Sequence, residues 1–180
     1  MKKSRRILII TGEIGSGKTS LLHDLVTGLR TKGFAPAGII SPGRVEDGTK
    51  TGIRLLNVKT GDEWLLAELR GAEAVGPATL RWQFYQDVMD TGNQILGELD
   101  SCDFLFIDEL GPLEFLRKEG WQSAFTALEE SDYNTALVVI RPGLLDVALK
   151  RWPSAEIFKI HQDSDMEVES EVLLKKILEV

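Results

Sequence analysis

The stretch Arg6 to Ser20, RILIITGEIGSGKTS, decides how the rest of the chain is organised. An apolar run enters a glycine-rich segment that ends in Gly17-Lys18-Thr19 and fits the pattern GxxxxGK(S/T). That pattern requires a strand before it and a helix after it, and the flanking residues predict both. Successive backbone N–H groups in such a turn, together with the positive end of a helix, form a cradle for phosphate oxygens. The segment therefore predicts a phosphate-binding loop.

Each residue type in the loop suits phosphate chemistry. Glycine lets the backbone approach an anion in conformations that a β-carbon would obstruct. We expect Lys18 to be a catalytic positive charge on the β- and γ-phosphates, and the Thr19 hydroxyl to be a ligand of Mg2+. The predicted nucleotide-binding residues are Gly12, Glu13, Ile14, Gly15, Ser16, Gly17, Lys18, Thr19 and Ser20.

Composition and charge restrict the class of protein. The 180 residues are enough for a single domain, 1–180, with a substantial core. The net charge of −7 argues against a nucleic-acid surface. No run approaches the ~18 apolar residues of a membrane span, and the first apolar run ends at Thr11-Gly12, too early for a signal peptide. We expect a cytoplasmic protein, monomeric or weakly oligomeric, with no nucleic-acid or membrane partner.

Hydrophobic periodicity predicts alternating strands and helices. Two β-like runs between 52 and 69, joined by Thr60-Gly61-Asp62, predict an antiparallel hairpin. The polar segment 44–51 is interpreted as a mobile loop, and 70–80 as a connection. Helices are predicted at 18–32, 87–100, 119–130 and 144–152 and at a last amphipathic segment led by Val168, Val172 and Leu173, with further strands at 34–41, 80–85, 102–108, 136–140 and 156–160. The pattern indicates an α/β fold in three layers, with a mixed, mostly parallel sheet that carries an antiparallel hairpin.

A second motif, FLFIDELGPLE at Phe104 to Glu114, is expected to face the loop. Its buried strand delivers Asp108 and Glu109 to the carboxyl edge of the sheet, where open α/β sheets bind ligands. Asp108 is predicted to hold Mg2+ together with Thr19. Because neighbouring strand residues point to opposite faces, Glu109 is a separate catalytic candidate that orients or deprotonates an attacking water.

Two further residues, Glu114 and Arg141, are candidates for the site. Glu114 follows the Gly111-Pro112 turn and is either a site contact or a surface or helix-start residue. Arg141 ends an apolar strand and is either a cis arginine for the γ-phosphate or a surface arginine at a turn.

Cys102 is the one cysteine, so we expect no disulfide or thiol cluster and interpret it as packing at the start of a buried strand.

Three segments resemble a known family: TGEIGSGKTSLL, DGTKTGIRLLNVKTGDEWLLA and FLFIDELGPLEF. They are similar to the P-loop nucleoside-triphosphatase family that includes the cancer-related nucleoside-triphosphatase. The resemblance implies a P-loop fold with Walker A and Walker B motifs, Mg2+ dependence and slow hydrolysis of several nucleoside triphosphates. By this resemblance Gly12 to Thr19 is the phosphate loop and Asp108-Glu109 the acidic pair. The family often has proline where this chain has Ile14.

The leading hypothesis is a nucleoside-triphosphate hydrolase of ATP, GTP and others. One alternative is a nucleotide or small-molecule kinase on the same scaffold, with the loop 44–51 as a phosphate lid. Another is a nucleotide-dependent switch acting through a protein partner, with 42–51 and 70–80 as the responsive segments. Kinase lids are usually denser in arginine than RVEDGTKT, which favours hydrolysis.

Overall fold

The fold is organised by one mixed sheet, and the computed structural model describes residues 5–71 and 81–179. Eight strands follow the order β6-β5-β4-β2-β7-β8-β1-β9, and β3 pairs with β4. The strands are β1 (Arg6–Thr11), β2 (Pro36–Ile40), β3 (Gly43–Glu46), β4 (Thr49–Asn57), β5 (Glu63–Leu69), β6 (Trp82–Phe84), β7 (Phe104–Leu110), β8 (Thr135–Ile140) and β9 (Glu156–Lys159). The α/β fold with a mixed sheet, expected from the sequence, is confirmed.

The parallel part of the sheet consists of β2, β7, β8, β1 and β9. All five residues of β2 and all six of β8 are buried, because helices cover both faces of the sheet. The carboxyl ends of these strands lie at the same edge. The loop that follows β1 and the acids near the end of β7 are thereby brought to one side of the sheet.

The antiparallel part is larger than the single hairpin that the sequence predicts. The pairing of β4 with β5 confirms that hairpin, and β6 adds a further antiparallel strand. The prediction of a mobile loop at 44–51 is wrong, since β3 and β4 pair there from Glu46 and Thr49 outward. Asp47 and Gly48 have φ values of 49° and 75°, and two consecutive left-handed residues are typical of the type I′ turn that Asp-Gly favours.

Helices form the two outer layers. The helices are α1 (Lys18–Thr31), α2 (Gln86–Gly97), α3 (Pro112–Phe115), α4 (Ser123–Glu130), α5 (Leu145–Arg151) and α6 (Met166–Leu178). Side chains of α1 and α6 share one apolar core with the sheet, and those of α2, α4 and α5 share the other. Within β1, Leu8 and Ile10 belong to the first core and Ile9 to the second, as the alternation of a strand requires.

Some predicted elements begin or end at other residues in the structure. The helix expected at 119–130 begins at Ser123, because Gly120 has φ +68° and Trp121 enters the core from a turn. The strand expected at 102–108 runs to Leu110, and Cys102, partly buried, lies just before it.

The last predicted amphipathic helix is present as α6. Its residues Leu173 and Ile177 face the core, whereas Val168 and Val172 are about half exposed. No described helix is long and apolar enough to cross a membrane. The expected connection 70–80 lies mostly outside the described residues.

Candidate active site

The glycine-rich loop joins the end of β1 to the start of α1. Ser16 N–H donates to the Glu13 carbonyl over 3.1 Å, and Gly15 between them has φ +81°, which is the geometry of a type II turn. Gly17 at the helix N-cap has φ +87°, and no side chain caps the helix. The first N–H groups of α1 therefore have no capping partner among the described side chains, as a site for phosphate oxygens requires.

Lys18 is held by the loop itself. Its Nζ donates to the Gly12 carbonyl at 2.7 Å, to the Glu13 carbonyl at 2.6 Å and to Ser16 Oγ at 3.3 Å. Partial burial lowers the pKa of Lys18, and the Arg141 charge adds to that, while Glu109 and Asp108 act in the opposite direction. These charges act on Lys18 because the four side chains meet at one edge of the sheet.

A segment near the C-terminus packs against the loop, which the sequence did not indicate. Ile160 N–H donates to the Thr11 carbonyl at 2.8 Å. A β-carbon on Gly12 would lie 2.6 Å from the Ile160 carbonyl oxygen, and one on Gly17 would lie 2.7 Å from Met166 Sδ. Packing against backbone therefore requires glycine at position 12, whereas at position 17 the φ of +87° is the stronger requirement because the methionine side chain can move.

Asp108 lies in β7 and is 2% exposed. Its Oδ2 accepts a 3.0 Å hydrogen bond from Ser41 N–H, and the Thr19 hydroxyl lies close enough to favour the ionised carboxylate. Burial raises the pKa of Asp108 to about 6, although Ser41, Thr19 and Lys18 oppose the rise. Ser41 was missed by sequence reasoning, but its position directly after β2, the parallel neighbour of β7, was a usable signal.

Glu109 is adjacent to Asp108 but lies in a different environment. Its backbone has φ +68°, and the pairing of β7 with β8 is irregular between Ile107 and Leu110. Its Oε1 forms an ion pair with Arg141 Nη2 at 2.5 Å, and the side chains of Glu109 and Arg141 are 42% and 45% exposed. The structure thus brings Glu109 and Arg141 together beside the loop, with one acid buried and the next accessible.

Glu114 stabilises its own turn. Its carboxylate accepts from Gly111 N–H at 2.8 Å and from Trp121 N–H at 2.9 Å, so it caps α3 from inside. The residue is 6% exposed, and desolvation raises the pKa of its carboxyl. The sequence left two interpretations of Glu114 open, a site contact or a surface or helix-start residue. The helix-start role matches these contacts, although Glu114 is buried rather than on the surface.

Thr19 and Asp108 are the two residues predicted to hold Mg2+, and their oxygen atoms are the kind of ligand that such an ion takes. Asp108 and Thr19 lie close together, and a carboxylate with a hydroxyl suits a hard cation such as Mg2+. Within the described residues, no group of three or more His, Cys, Asp or Glu is placed to hold a metal. This donor set fits an ion that takes its remaining ligands from substrate phosphates and water.

Comparison with known proteins gives a family match over nearly the whole chain. A family model described as NTPase matches residues 7–178. A nucleoside-triphosphatase THEP1 from Hyperthermus butylicus is 31% identical over 108 residues, covering 59% of this chain and 57% of that protein. The THEP1 of Methanothermobacter thermautotrophicus is 32% identical over 114 residues, covering 62% and 64%. The matches thus span less than two thirds of these relatives' lengths.

Solved structures share the fold. The solution structure of a human cancer-related nucleoside triphosphatase matches with a TM-score of 0.73 and 17% identity, over 97% of this chain and 99% of that one. The crystal structure of THEP1 from Aquifex aeolicus matches with a TM-score of 0.65 and 18% identity, over 95% and 98%. At these identities the likeness concerns the fold alone, and it agrees with the mixed sheet described above.

Proposed function

The chain belongs to the NTPase family, as its sequence resemblance predicts, and on that premise we propose that it hydrolyses nucleoside triphosphates to diphosphate and phosphate in an Mg2+-dependent reaction. One observation supports the proposal above all others. Asp108, Glu109 and Arg141 all act electrostatically on Lys18, the lysine of the glycine-rich loop. A phosphate-binding lysine with two carboxylates and an arginine around it has the charges that phosphoryl transfer requires.

Phosphate binding is assigned to the loop. The uncapped start of α1 and the left-handed Gly15 and Gly17 give backbone N–H groups for the β- and γ-phosphates. Lys18 would exchange its contacts with the Gly12 and Glu13 carbonyls for phosphate oxygens. Because the whole cradle is backbone and one lysine, binding of the triphosphate group does not depend on the base.

Thr19 and Asp108 are the residues that would hold Mg2+. When bound, the ion neutralises charge on the β- and γ-phosphates. Asp108 is buried and accepts a hydrogen bond from Ser41 N–H, so its carboxylate is fixed in orientation. A fixed oxygen ligand is what a site with strict octahedral geometry needs.

Glu109 is the residue proposed to position the attacking water and accept its proton. It is the accessible member of the acidic pair, and its carboxylate lies at the same edge as Lys18. A positioned base typically contributes about 10²- to 10⁴-fold. The remaining acceleration is assigned to Lys18 and the backbone N–H groups, which stabilise charge on the phosphates.

Neither alternative function gains support from a specific contact. The kinase hypothesis used 44–51 as a phosphate lid, but these residues form part of a β-hairpin in which Arg44 pairs with Glu46 at 2.5 Å and Glu68 at 3.7 Å. The switch hypothesis used 42–51 and 70–80, and most of the second segment lies outside the described residues. Hydrolysis of ATP, GTP and others, its slow rate, the cytoplasmic location and a monomeric or weakly oligomeric state stay predictions.

The proposal is tested by phosphate release from a panel of nucleoside triphosphates, with Mg2+ or with EDTA, and with or without candidate acceptors. We expect release without any acceptor, loss in EDTA, and loss in Lys18→Ala and Glu109→Gln. Lys32→Ala, an exposed lysine at the end of the same helix, is the matched control. Turnover that depends on an acceptor would favour a kinase, and normal triphosphate binding by Lys18→Ala would remove the site assignment.

A further inference from the structure

Arg141 and Glu109 meet across the ends of two neighbouring parallel strands. Leu110 of β7 pairs with Ile140 of β8, so Glu109 directly precedes one paired residue and Arg141 directly follows the other. The guanidinium Nη2 lies 2.5 Å from Glu109 Oε1. Among the described residues, the structure records no other ion pair for Arg141. The candidate base and the candidate phosphate-binding arginine therefore have each other as partners.

The positive charges around this pair favour the binding of an anion. Arg141 and Lys18 are close enough for the arginine charge to disfavour the charged lysine. Two cations beside a phosphate cradle repel each other unless negative charge lies between them, and in the free protein Glu109 supplies part of it. A terminal phosphate carries more negative charge than a carboxylate and matches the planar fork of arginine. Arg141 thus has two partners of the same sign, one internal and one on the ligand.

The carboxylate of Glu109 is engaged when Arg141 pairs with it, and free when Arg141 pairs with a phosphate. While Arg141 holds Oε1, that oxygen is engaged by a guanidinium rather than by a water molecule. The left-handed backbone of Glu109 and the irregular pairing at Ile107 to Leu110 set the point at which this side chain leaves the strand. Release of the arginine would therefore free the carboxylate in place, with no rearrangement of the strand.

We propose that Arg141 is paired with Glu109 while the site holds no triphosphate, and moves to the terminal phosphate when one binds, which releases Glu109 to position the attacking water. This inference rests on the proposed function. A diphosphate lacks the third phosphate, so with a diphosphate bound Arg141 stays on Glu109. The pair then distinguishes substrate from product, because the base is released only in the triphosphate complex.

The test measures equilibrium binding, with Mg2+, of β,γ-imido analogues of ATP and GTP and of ADP and GDP. Glu109→Gln removes the competing partner, so we expect the imido analogues to bind about tenfold more tightly and the diphosphates to bind as they do to the wild type. Arg141→Ala should weaken only the imido analogues, by a similar factor, and Arg141→Lys should restore part of the loss. In the double variant the gain from Glu109→Gln should disappear.

The matched controls are Arg54→Ala and Glu63→Gln, an ion pair of 3.0 Å with side-chain exposures of 48% and 41%, between β4 and β5. Neither change should alter any of the four affinities. A gain from Glu109→Gln that persists in the Arg141→Ala background would overturn the proposal, because it would reflect repulsion by the Glu109 charge alone. Equal loss of imido analogue and diphosphate in Arg141→Ala would also overturn it, since the arginine would then only support the site.

Different results would contradict the proposed hydrolysis and the proposed exchange of partners by Arg141. A wild type that releases phosphate but shows no coupling between Glu109 and Arg141 would contradict the exchange of partners and leave hydrolysis standing. A wild type that binds no imido analogue would overturn both proposals. Thermal melts of all variants check that the fold is retained, which an exposed ion pair of this kind should not affect strongly.

Discussion

Ser41 N–H donates a 3.0 Å hydrogen bond to Oδ2 of the buried Asp108, and so joins the ends of β2 and β7 beneath the phosphate-binding loop. The bond stabilises the ionised carboxylate, yet burial outweighs it and raises the pKa of Asp108 to about 6 from an ordinary value of 3.8. The folded protein keeps this proton up to a higher pH than the unfolded chain. Ionised Asp108 therefore lowers the stability of the metal-free protein.

Asp108→Asn should raise the free energy of unfolding at pH 7 in EDTA. The wild type loses stability as pH rises from about 4 to about 6, whereas the asparagine side chain of the variant has no proton to lose and its carbonyl still accepts from Ser41. The difference between 3.8 and about 6 sets a ceiling of about 3 kcal/mol on the gain. Urea denaturation at pH 4 and pH 7 measures it. Asp24→Asn, exposed on α1, is the control, and an equal effect of Asp108→Asn at both pH values would contradict the argument.

Glu109→Gly should be more stable than Glu109→Ala by about 1 kcal/mol, because alanine at φ +68° keeps the cost of a left-handed residue and glycine does not. Both variants lose the same ion pair with Arg141, so the comparison isolates the backbone. Chemical denaturation of the two proteins measures the difference, and phosphate release should be lost in both. If alanine were equal or better, Glu109 would carry no backbone strain.

Ile14→Pro should stabilise the protein by about 0.4 to 1 kcal/mol, because proline reduces the conformational entropy of the unfolded chain. Ile14 is the second residue of the type II turn from Glu13 to Ser16, a position that proline favours. In the described part of the chain its N–H donates no hydrogen bond, and its side chain is 74% exposed. Urea denaturation of Ile14→Pro and Ile14→Ala checks this. Loss of triphosphate binding in the proline variant would indicate that the Ile14 N–H contacts the ligand.

Glu114→Ala should destabilise the protein by about 2 to 4 kcal/mol, because it leaves the buried N–H groups of Gly111 and Trp121 without an acceptor. Glu114→Gln should cost less, since one oxygen remains. Glu119→Ala, with an exposed side chain in the same turn, is the control for lost charge. Reduced phosphate release at unchanged stability would instead assign Glu114 to the catalytic site.

Glu156 connects β9 to β1 and α6 through Arg6 and Lys176. Its hydrogen bond with Arg6 lowers the pKa of Glu156 to about 2, so its stabilisation is complete above the unfolded value near 4.5 and is lost as pH falls toward 2. Glu156→Gln should reduce the melting temperature at pH 7 and not at pH 2. The loss should not exceed about 1 kcal/mol because the pair is exposed to solvent. Glu130→Gln, also exposed, is the control.

Much of the parallel sheet followed from local patterns. Apolar runs such as residues 135–140 predicted the buried strands, and the GxxxxGK(S/T) pattern predicted the loop between a strand and a helix. A hairpin forms at Asp47-Gly48 instead of the predicted loop, because the Asp-Gly dipeptide is a stronger signal for a tight turn than the polarity of the neighbouring residues is for a loop.

Other features depend on contacts that a local pattern does not contain. Alternation along β7 gave Asp108 and Glu109 different positions, and the structure separates them further by burying one and turning the backbone at the other. The pairing of Glu109 with Arg141, and the packing of Ile160 and Met166 on the loop glycines, join residues far apart in the chain. Their positions follow from strand order, which periodicity along one segment does not determine.

Lys18, bonded to the Gly12 and Glu13 carbonyls and to Ser16 Oγ, acts as an internal template for the loop. The carbonyls that it holds are part of the same turn that directs N–H groups toward the ligand. A triphosphate then exchanges one set of hydrogen bonds for another instead of ordering a disordered segment, so the entropic cost of shaping the cradle is met during folding. Preorganisation of this kind predicts that association is limited by encounter and desolvation rather than by closure of the loop.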